Sequence, residues 1–312
     1  MSTARAPRYS ELPPPKVEDL GDGIFAYIQL DGSWGLNNTG FLVGRDGVTV
    51  IDTCFTERRT RMFLDAIRRV TTLPPGTLVN THHHGDHTHG NYLLLPAATI
   101  IGHELCREEV IATGHAAAAL FPGVDWGKIE IAPPFATIQD RLNLYVDDLT
   151  VELIYVGPAH TTNDVIGWIP QRKVLFTGDL IFNQGTPFAV MGSVAGWLEA
   201  LEVPRALEPE TIVPGHGPLC GPEVIGEVAD YLRFVQEMAR KGLEAGLTPL
   251  QAAQQTDLGR FSDWLDQERL VGNLHRAYSE LHGEPRGAPL PLAEAMGDMV
   301  AYNGGQMPRC LA

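Results

Sequence analysis

Positive charge is scarce in this 312-residue chain: 23 Lys and Arg stand against 38 Asp and Glu, for a net charge of −15. A surface of that sign repels a phosphate backbone, which excludes nucleic acid as a bulk partner. Cysteine is sparse too. Cys54, Cys106, Cys220 and Cys310 lie far apart and form no CxxC pair. That spacing excludes a disulfide scaffold and leaves reduced structural thiols as the reading. No apolar run is long enough to cross a bilayer, so no membrane partner is expected. Met1 to Lys16 is Pro-rich and polar and lacks the apolar core of a signal peptide, so the expected location is the cytoplasm. No internal repeat stands out, and the sequence sets no oligomeric state.

Histidine, by contrast, is concentrated. Thr81-His82-His83-His84-Gly85-Asp86-His87-Thr88-His89 follows the apolar segment Leu78-Val79, which reads as the end of a buried strand. Side chains alternate along an extended backbone, so His82 and His84 share one side and His83 points away. Gly85 lets the chain turn, and Asp86 and His87 return toward the same space. Imidazoles and a carboxylate so grouped are suitable ligands for zinc.

The rest of the chain alternates β-rich and helical segments. Strands are predicted at Ile24–Leu30, Thr39–Val43 and Val48–Asp52, then a helix over Thr56–Val70 with Thr56 as its N-cap. A hairpin tip at Asp31–Gly35 would carry Trp34 as a possible substrate flap. A second β series covers Ala136–Thr177, with a last short strand at Thr211–Val213. After Gly221 the pattern becomes helical, with predicted helices at Pro222–Gly246, Pro249–Thr256, Phe261–Leu281 and Pro291–Tyr302. The expected organisation is a flexible arm (1–16), a two-sheet domain (17–221) and a helical extension packing as a cap (222–312).

Three further motifs stand at the C-terminal ends of predicted strands, where scaffolds present reactive groups: Gly157-Pro158-Ala159-His160, Thr177-Gly178-Asp179 and Pro214-Gly215-His216. The ordered set His82-x-His84-x-Asp86-His87, His160, Asp179, His216 resembles the metallo-β-lactamase superfamily. The resemblance implies a four-layer αββα sandwich of α/β (α+β) class and two zinc ions per chain. It implies that His82, His84 and His160 hold one ion, that Asp86, His87 and His216 hold the other, and that Asp179 bridges them. Asp86 and Asp179 would be catalytic, with Asp52 and Asp164 supporting the ligands. His83, His89, His103, His115, His275 and His282 fall outside the ligand pattern.

Asp179 stands where common di-zinc β-lactamases carry Cys. Several stretches resemble instead the cyclase/thioesterases of aromatic polyketide biosynthesis: Thr186-Pro187-Phe188, Gly192-Ser193-Val194-Ala195-Gly196, Leu270 to Ala277 and Ala301 to Pro308. That resemblance implies thioester hydrolysis or aldol ring closure on a polyketide held by an acyl carrier protein. The rival expectations are another zinc-dependent ester, thioester or lactone hydrolase, and a metal-binding protein without catalysis. Candidate walls of an apolar pocket are Trp34, Phe121, Trp126, Phe182, Phe188 and Trp197. Arg58, Arg59, Arg61, Arg68 and Arg69, on one predicted helix, are a candidate patch for an acidic carrier.

Overall fold

The computed structural model describes residues 12–312. Strands β1 (Lys16–Asp19), β2 (Ile24–Ile28), β3 (Thr39–Val43), β4 (Val48–Ile51), β5 (Pro75–Val79), β6 (Thr99–His103) and β7 (Ala136–Ile138) lie side by side in chain order. The pairs from β1 to β4 are antiparallel, and those from β4 to β7 are parallel. A second sheet runs in the order β12 (Thr211–His216), β11 (Val174–Phe182), β10 (Val165–Ile169), β9 (Leu149–Tyr155), β8 (Arg141–Val146). Helices cover the outer faces: α1 (Glu57–Val70), α2 (Gly85–Thr88), α3 (Glu104–Thr113), α4 (Ala117–Leu120), α5 (Val194–Ala200), α6 (Glu202–Leu207), α7 (Glu223–Glu244), α8 (Pro249–Gln255), α9 (Arg269–Leu281) and α10 (Leu292–Tyr302).

Three apolar layers follow from the side-chain alternation of the strands. Ile24, Leu42, Ile51 and Val79 meet Val151, Leu153, Val165 and Phe176 between the two sheets. The opposite face of the first sheet, with Phe41, Val50 and Leu78, packs on Phe63 and Ile67 of α1. The Thr56 hydroxyl accepts from the Arg59 amide and caps that helix. The outer face of the second sheet, with Trp168, Leu175 and Leu180, packs on Trp197, Val228, Leu232, Leu270 and Leu274. α7 and α9 therefore share one core with the second sheet.

The strands differ from expectation where tertiary contacts decide. Residues 1–11 of the expected arm lie outside the described residues, and Lys16 already pairs with Ile28 in β1. β11 does not stop at Thr177. It runs through Asp179 to Phe182 with register shifts against β12 on either side of Gly178, and every one of its residues is buried. α9 begins at Arg269 rather than Phe261. Asp266, at φ +58°, takes the left-handed conformation that interrupts a helix. Residues 29–38 form no exposed hairpin tip. Asn38 donates to the carbonyls of Pro214 (2.9 Å) and Gly217 (2.7 Å), so this loop is tied to the end of β12 and Trp34 is half-buried.

Candidate metal centre

The segments after β5 and β9, the interior of β11 and the end of β12 bring the candidate ligands together, with Asp52 at the end of β4 behind them. His82, His84, His160 and Asp179 form one cluster and Asp86, His87 and His216 a second, with the ligand atoms of each cluster within 4.8 Å of one another. Asp179 touches both. Its Oδ2 lies 3.2 Å from His160 Nε2 and 3.5 Å from His216 Nε2, and its Oδ1 lies 3.1 Å from His87 Nε2. Asp86 Oδ2 lies 3.2 Å from His216 Nε2.

The outward nitrogens of all five rings have partners that fix their orientation, that of His84 being Met191 Sδ, 3.4 Å from its Nε2. His87 Nδ1 faces Asp52 Oδ2 at 2.9 Å, His216 Nδ1 faces the Gly32 carbonyl at 2.9 Å, and His160 Nδ1 faces the Phe188 carbonyl at 2.5 Å. His82 Nδ1 lies 3.1 Å from the Thr81 hydroxyl, which itself donates to Asp52 at 2.7 Å. Asp52 therefore braces one imidazole directly and a second through Thr81. With protons on Nδ1, each of these rings turns an Nε2 lone pair toward the centre. His84 differs, since its Nδ1 faces His160 Nε2 at 2.8 Å.

The donor set suits a borderline divalent cation such as zinc. A local observation agrees: Nε2 of His82 is buried without a hydrogen-bond partner, and Nε2 of His87 and Oδ1 of Asp179, though 3.1 Å apart, are buried without hydrogen-bond geometry to each other or to any other group. Such atoms are costly unless something binds them. Burial also opposes charge on His160, holding it near 4, and acts the same way on His82. At His216 burial is outweighed by the Asp179 and Asp86 carboxylates, which raise it to about 9. Metal entering this cluster must displace that proton.

Asp164 contacts no candidate ligand ring. Its carboxylate accepts from the Thr161 amide (2.8 Å) and hydroxyl (2.7 Å) and from the Ala159 amide (3.3 Å), so it shapes the backbone on both sides of His160. Burial pushes it up to about 7 despite those donors. His83 stands outside both clusters, with its Nδ1 near Asn163 Nδ2 at 3.0 Å. His89, the C-cap of α2, stacks on Phe55.

Gly215 shows how tightly the centre is built. A Cβ there would sit 2.0 Å from Asp179 Oδ1 and 2.6 Å from the Gly178 carbonyl carbon. Gly215→Ala should displace that carboxylate and weaken metal binding by roughly tenfold or more, on the scale of lost support to a ligand. Zinc titration of a variant with an unchanged circular dichroism spectrum would measure this.

The clusters open into a cavity of about 340 Å³. Of the six expected wall aromatics, Trp34, Phe121, Phe182 and Phe188 line it. Trp126 and Trp197 do not. Trp197 is wholly buried, with its indole N–H on the Leu180 carbonyl (2.9 Å), and Trp126 packs edge-on against Phe55 and borders a separate groove. Leu292 and Met296 of α10, Met191 and Arg269 also line the cavity. These residues carry no sequence signal, because only the packing of the last helices against the second sheet brings them here.

The fold and this ligand geometry define a class. The family model of the metallo-β-lactamase superfamily matches residues 32–216, and the chain belongs to that superfamily, whose members are generally zinc hydrolases. A type 2 metallo-β-lactamase of Bacteroides fragilis is 23% identical over 220 residues, covering 67% of this chain and 82% of its own. A linear primary-alkylsulfatase of a Pseudomonas species is 21% identical over 317 residues, covering 84% of this chain and 60% of its own. The solved structure of TMB-1 superposes with a TM-score of 0.58 at 21% identity, covering 72% of this chain and 99% of that one. No helix among the described residues is long and apolar enough to cross a membrane.

Proposed function

We propose that the chain is a di-zinc hydrolase and cyclase of poly-β-ketone thioesters. The observation that carries the reading is a polar ligand cluster at the floor of a cavity whose walls include Trp34, Phe121, Phe182, Phe188, Leu292 and Met296. Apolar walls of this kind suit a flat acyl chain or aryl product. Two of the stretches that resemble polyketide cyclases also lie against each other: Asn273 accepts from the Ala189 amide (2.7 Å) and donates to the Pro187 carbonyl (2.8 Å). Gly272 faces Phe188 and Val190 so closely that an added Cβ would meet both side chains.

Two bound zinc ions would supply Lewis acidity and a water ionised near neutral pH. His82, His84 and His160 would hold one, Asp86, His87 and His216 the other, and Asp179 would span them. Asp179 and Asp86 set the negative charge of the floor, Asp52 orients His87, and the aromatic walls exclude water from the acyl chain. A thiolate leaves without the proton donor that an amide nitrogen needs, so this site suits thioesters over β-lactams. Assay of a β-keto thioester, an acyl-homoserine lactone and a cephalosporin side by side tests the reading. The thioester should show the highest kcat/KM, and preferential turnover of either rival would sink it.

A second reading is an ester hydrolase with an alkyl-chain substrate, favoured by the alkylsulfatase likeness that covers 84% of this chain. A medium-chain alkyl sulfate in the same assay separates the two.

Delivery on an acyl carrier is part of the proposal, and α1 supports it less broadly than its composition suggests. Arg59 is interior and bonds Gln29 (3.0 Å) and the Leu311 carbonyl (2.8 Å), so it leaves the expected patch. Arg61 pairs with Glu57 and Arg68 with Asp65. Charge reversal at Arg58 and Arg61 should raise KM for carrier-bound substrate a few-fold and spare a free thioester mimic, in line with exposed charges acting chiefly on encounter. Equal effects on both substrates would remove carrier docking at α1.

A further inference from the structure

Arg269, the first residue of α9, is only 2% exposed yet lines the cavity. Its guanidinium lies 4.0 Å over the Trp34 ring and 5.2 Å from the Phe182 ring, and Phe182 in turn stacks on His216 at 5.1 Å. The cation is thus one aromatic layer away from the ligand cluster. Nη1 donates to the Thr186 carbonyl (3.0 Å), and Nη2 lies 2.9 Å from Asp266 Oδ2 in an ion pair without hydrogen-bond geometry. Nε is buried with no acceptor. A buried N–H of a cation left unmatched is costly, and a residue on a ligand cavity has an evident way to recover that cost.

The sign of the surroundings decides what the acceptor is. Asp266 already matches the guanidinium charge, and Glu268 accepts from the Trp34 indole N–H at 2.7 Å. Burial pushes Asp266 up to about 6, and Glu268 and Asp31 push the same way against Arg269. The one carboxylate paired with the guanidinium among the described residues is that of Asp266. An anionic ligand would compete with Asp266 for a guanidinium already paired, whereas a neutral carbonyl oxygen accepts a hydrogen bond without adding charge.

We propose that Arg269 forms a ketone-recognition subsite, its Nε–H donating to an uncharged carbonyl oxygen of the acyl chain or aryl product, remote from the reacting carbon. The inference deepens the proposed function and rests on it for the identity of the ligand as a ketide. Arg269 is a positioning residue there. Its role is to tell an oxygen-bearing chain from a hydrocarbon one.

Binding measured apart from turnover tests it. Calorimetry with 1-tetralone and with tetralin, its ketone-free counterpart, is run on the full chain with zinc and after chelation. The wild type should bind tetralone roughly tenfold or more tightly than tetralin in both states, the scale of a hydrogen bond to a charged donor. Arg269→Met should bring the ratio to within about twofold of one, through weaker tetralone binding. Arg269→Lys, which keeps the charge without an Nε–H, should do the same, and it decides the matter if the Met variant fails to fold. Equal binding by the wild type, a ratio that survives in a folded variant, or a preference confined to the zinc-loaded protein would each overturn the subsite. Failure of the zinc-loaded wild type to hydrolyse any thioester would sink the proposed function and leave this binding result standing.

Discussion

Replacing Asp179 by Asn should lower kcat by about a hundred- to a thousandfold, the scale seen when a group aimed at developing charge is removed. The geometry gives the reason. Among the described residues Asp179 is the one carboxylate within 3.5 Å of rings from both clusters, through Oδ2 to His160 and His216 and through Oδ1 to His87. An amide keeps the size but loses the charge and one acceptor, so it cannot satisfy both sides. The fold should survive, because Asp179 sits in β11 between buried Gly178 and Leu180 and Asn fills the same space. Metal content should fall toward one ion per chain while the thermal midpoint of the chelated protein changes little. Loss of activity with metal content unchanged would reassign Asp179 from holding metal to a later step.

Asp52→Ala carries the second large effect, and it falls on stability as well as on metal. Asp52 is buried at the end of β4 and accepts three hydrogen bonds, from the Thr81 amide (2.8 Å), the Thr81 hydroxyl (2.7 Å) and His87 Nδ1 (2.9 Å). Each donor orphaned in the interior costs about 1–3 kcal/mol, so a loss of about 3 kcal/mol or more is expected. The backbone adds to it, since φ is +60°, a conformation Asp and Asn tolerate better than Ala. Metal affinity should fall about 10- to 100-fold, the usual cost of removing a partner behind a ligating imidazole. Asp52→Asn should recover much of the stability, keeping the left-handed backbone and one acceptor. Urea melts of the chelated protein and zinc titrations of the folded one separate the two losses.

The two-sheet fold could be read from the chain because its strands are local, and the seven candidate ligands because four of them lie close in sequence and the ordered set resembles a known family. Strand segments such as Val48–Ile51 and Val165–Ile169 are short apolar runs between turn formers, and His82 to His87 lie on consecutive residues after one of them. What the sequence hid depends on residues distant along the chain. Asp179 was expected just past a strand end, but β11 continues to Phe182 because Leu180, Ile181 and Phe182 are buried beneath the last helices. Arg59 reads as one more surface cation of a basic helix, yet it turns inward to meet Gln29 and the Leu311 carbonyl. Trp197 has the look of a cavity wall and is core, while Arg269 has the look of helix surface and is cavity wall. Periodicity tells which face of a helix is buried. It does not tell which buried residue meets the site.

The central claim is that two zinc ions at the floor of an apolar cavity serve thioester chemistry. Its most direct test is metal content and β-keto thioester turnover measured on the same purified chain, before chelation, after it, and after zinc is restored. The chain should hold close to two zinc ions, lose turnover on chelation, and regain both together. Full turnover by a chain holding one ion or none would contradict the claim.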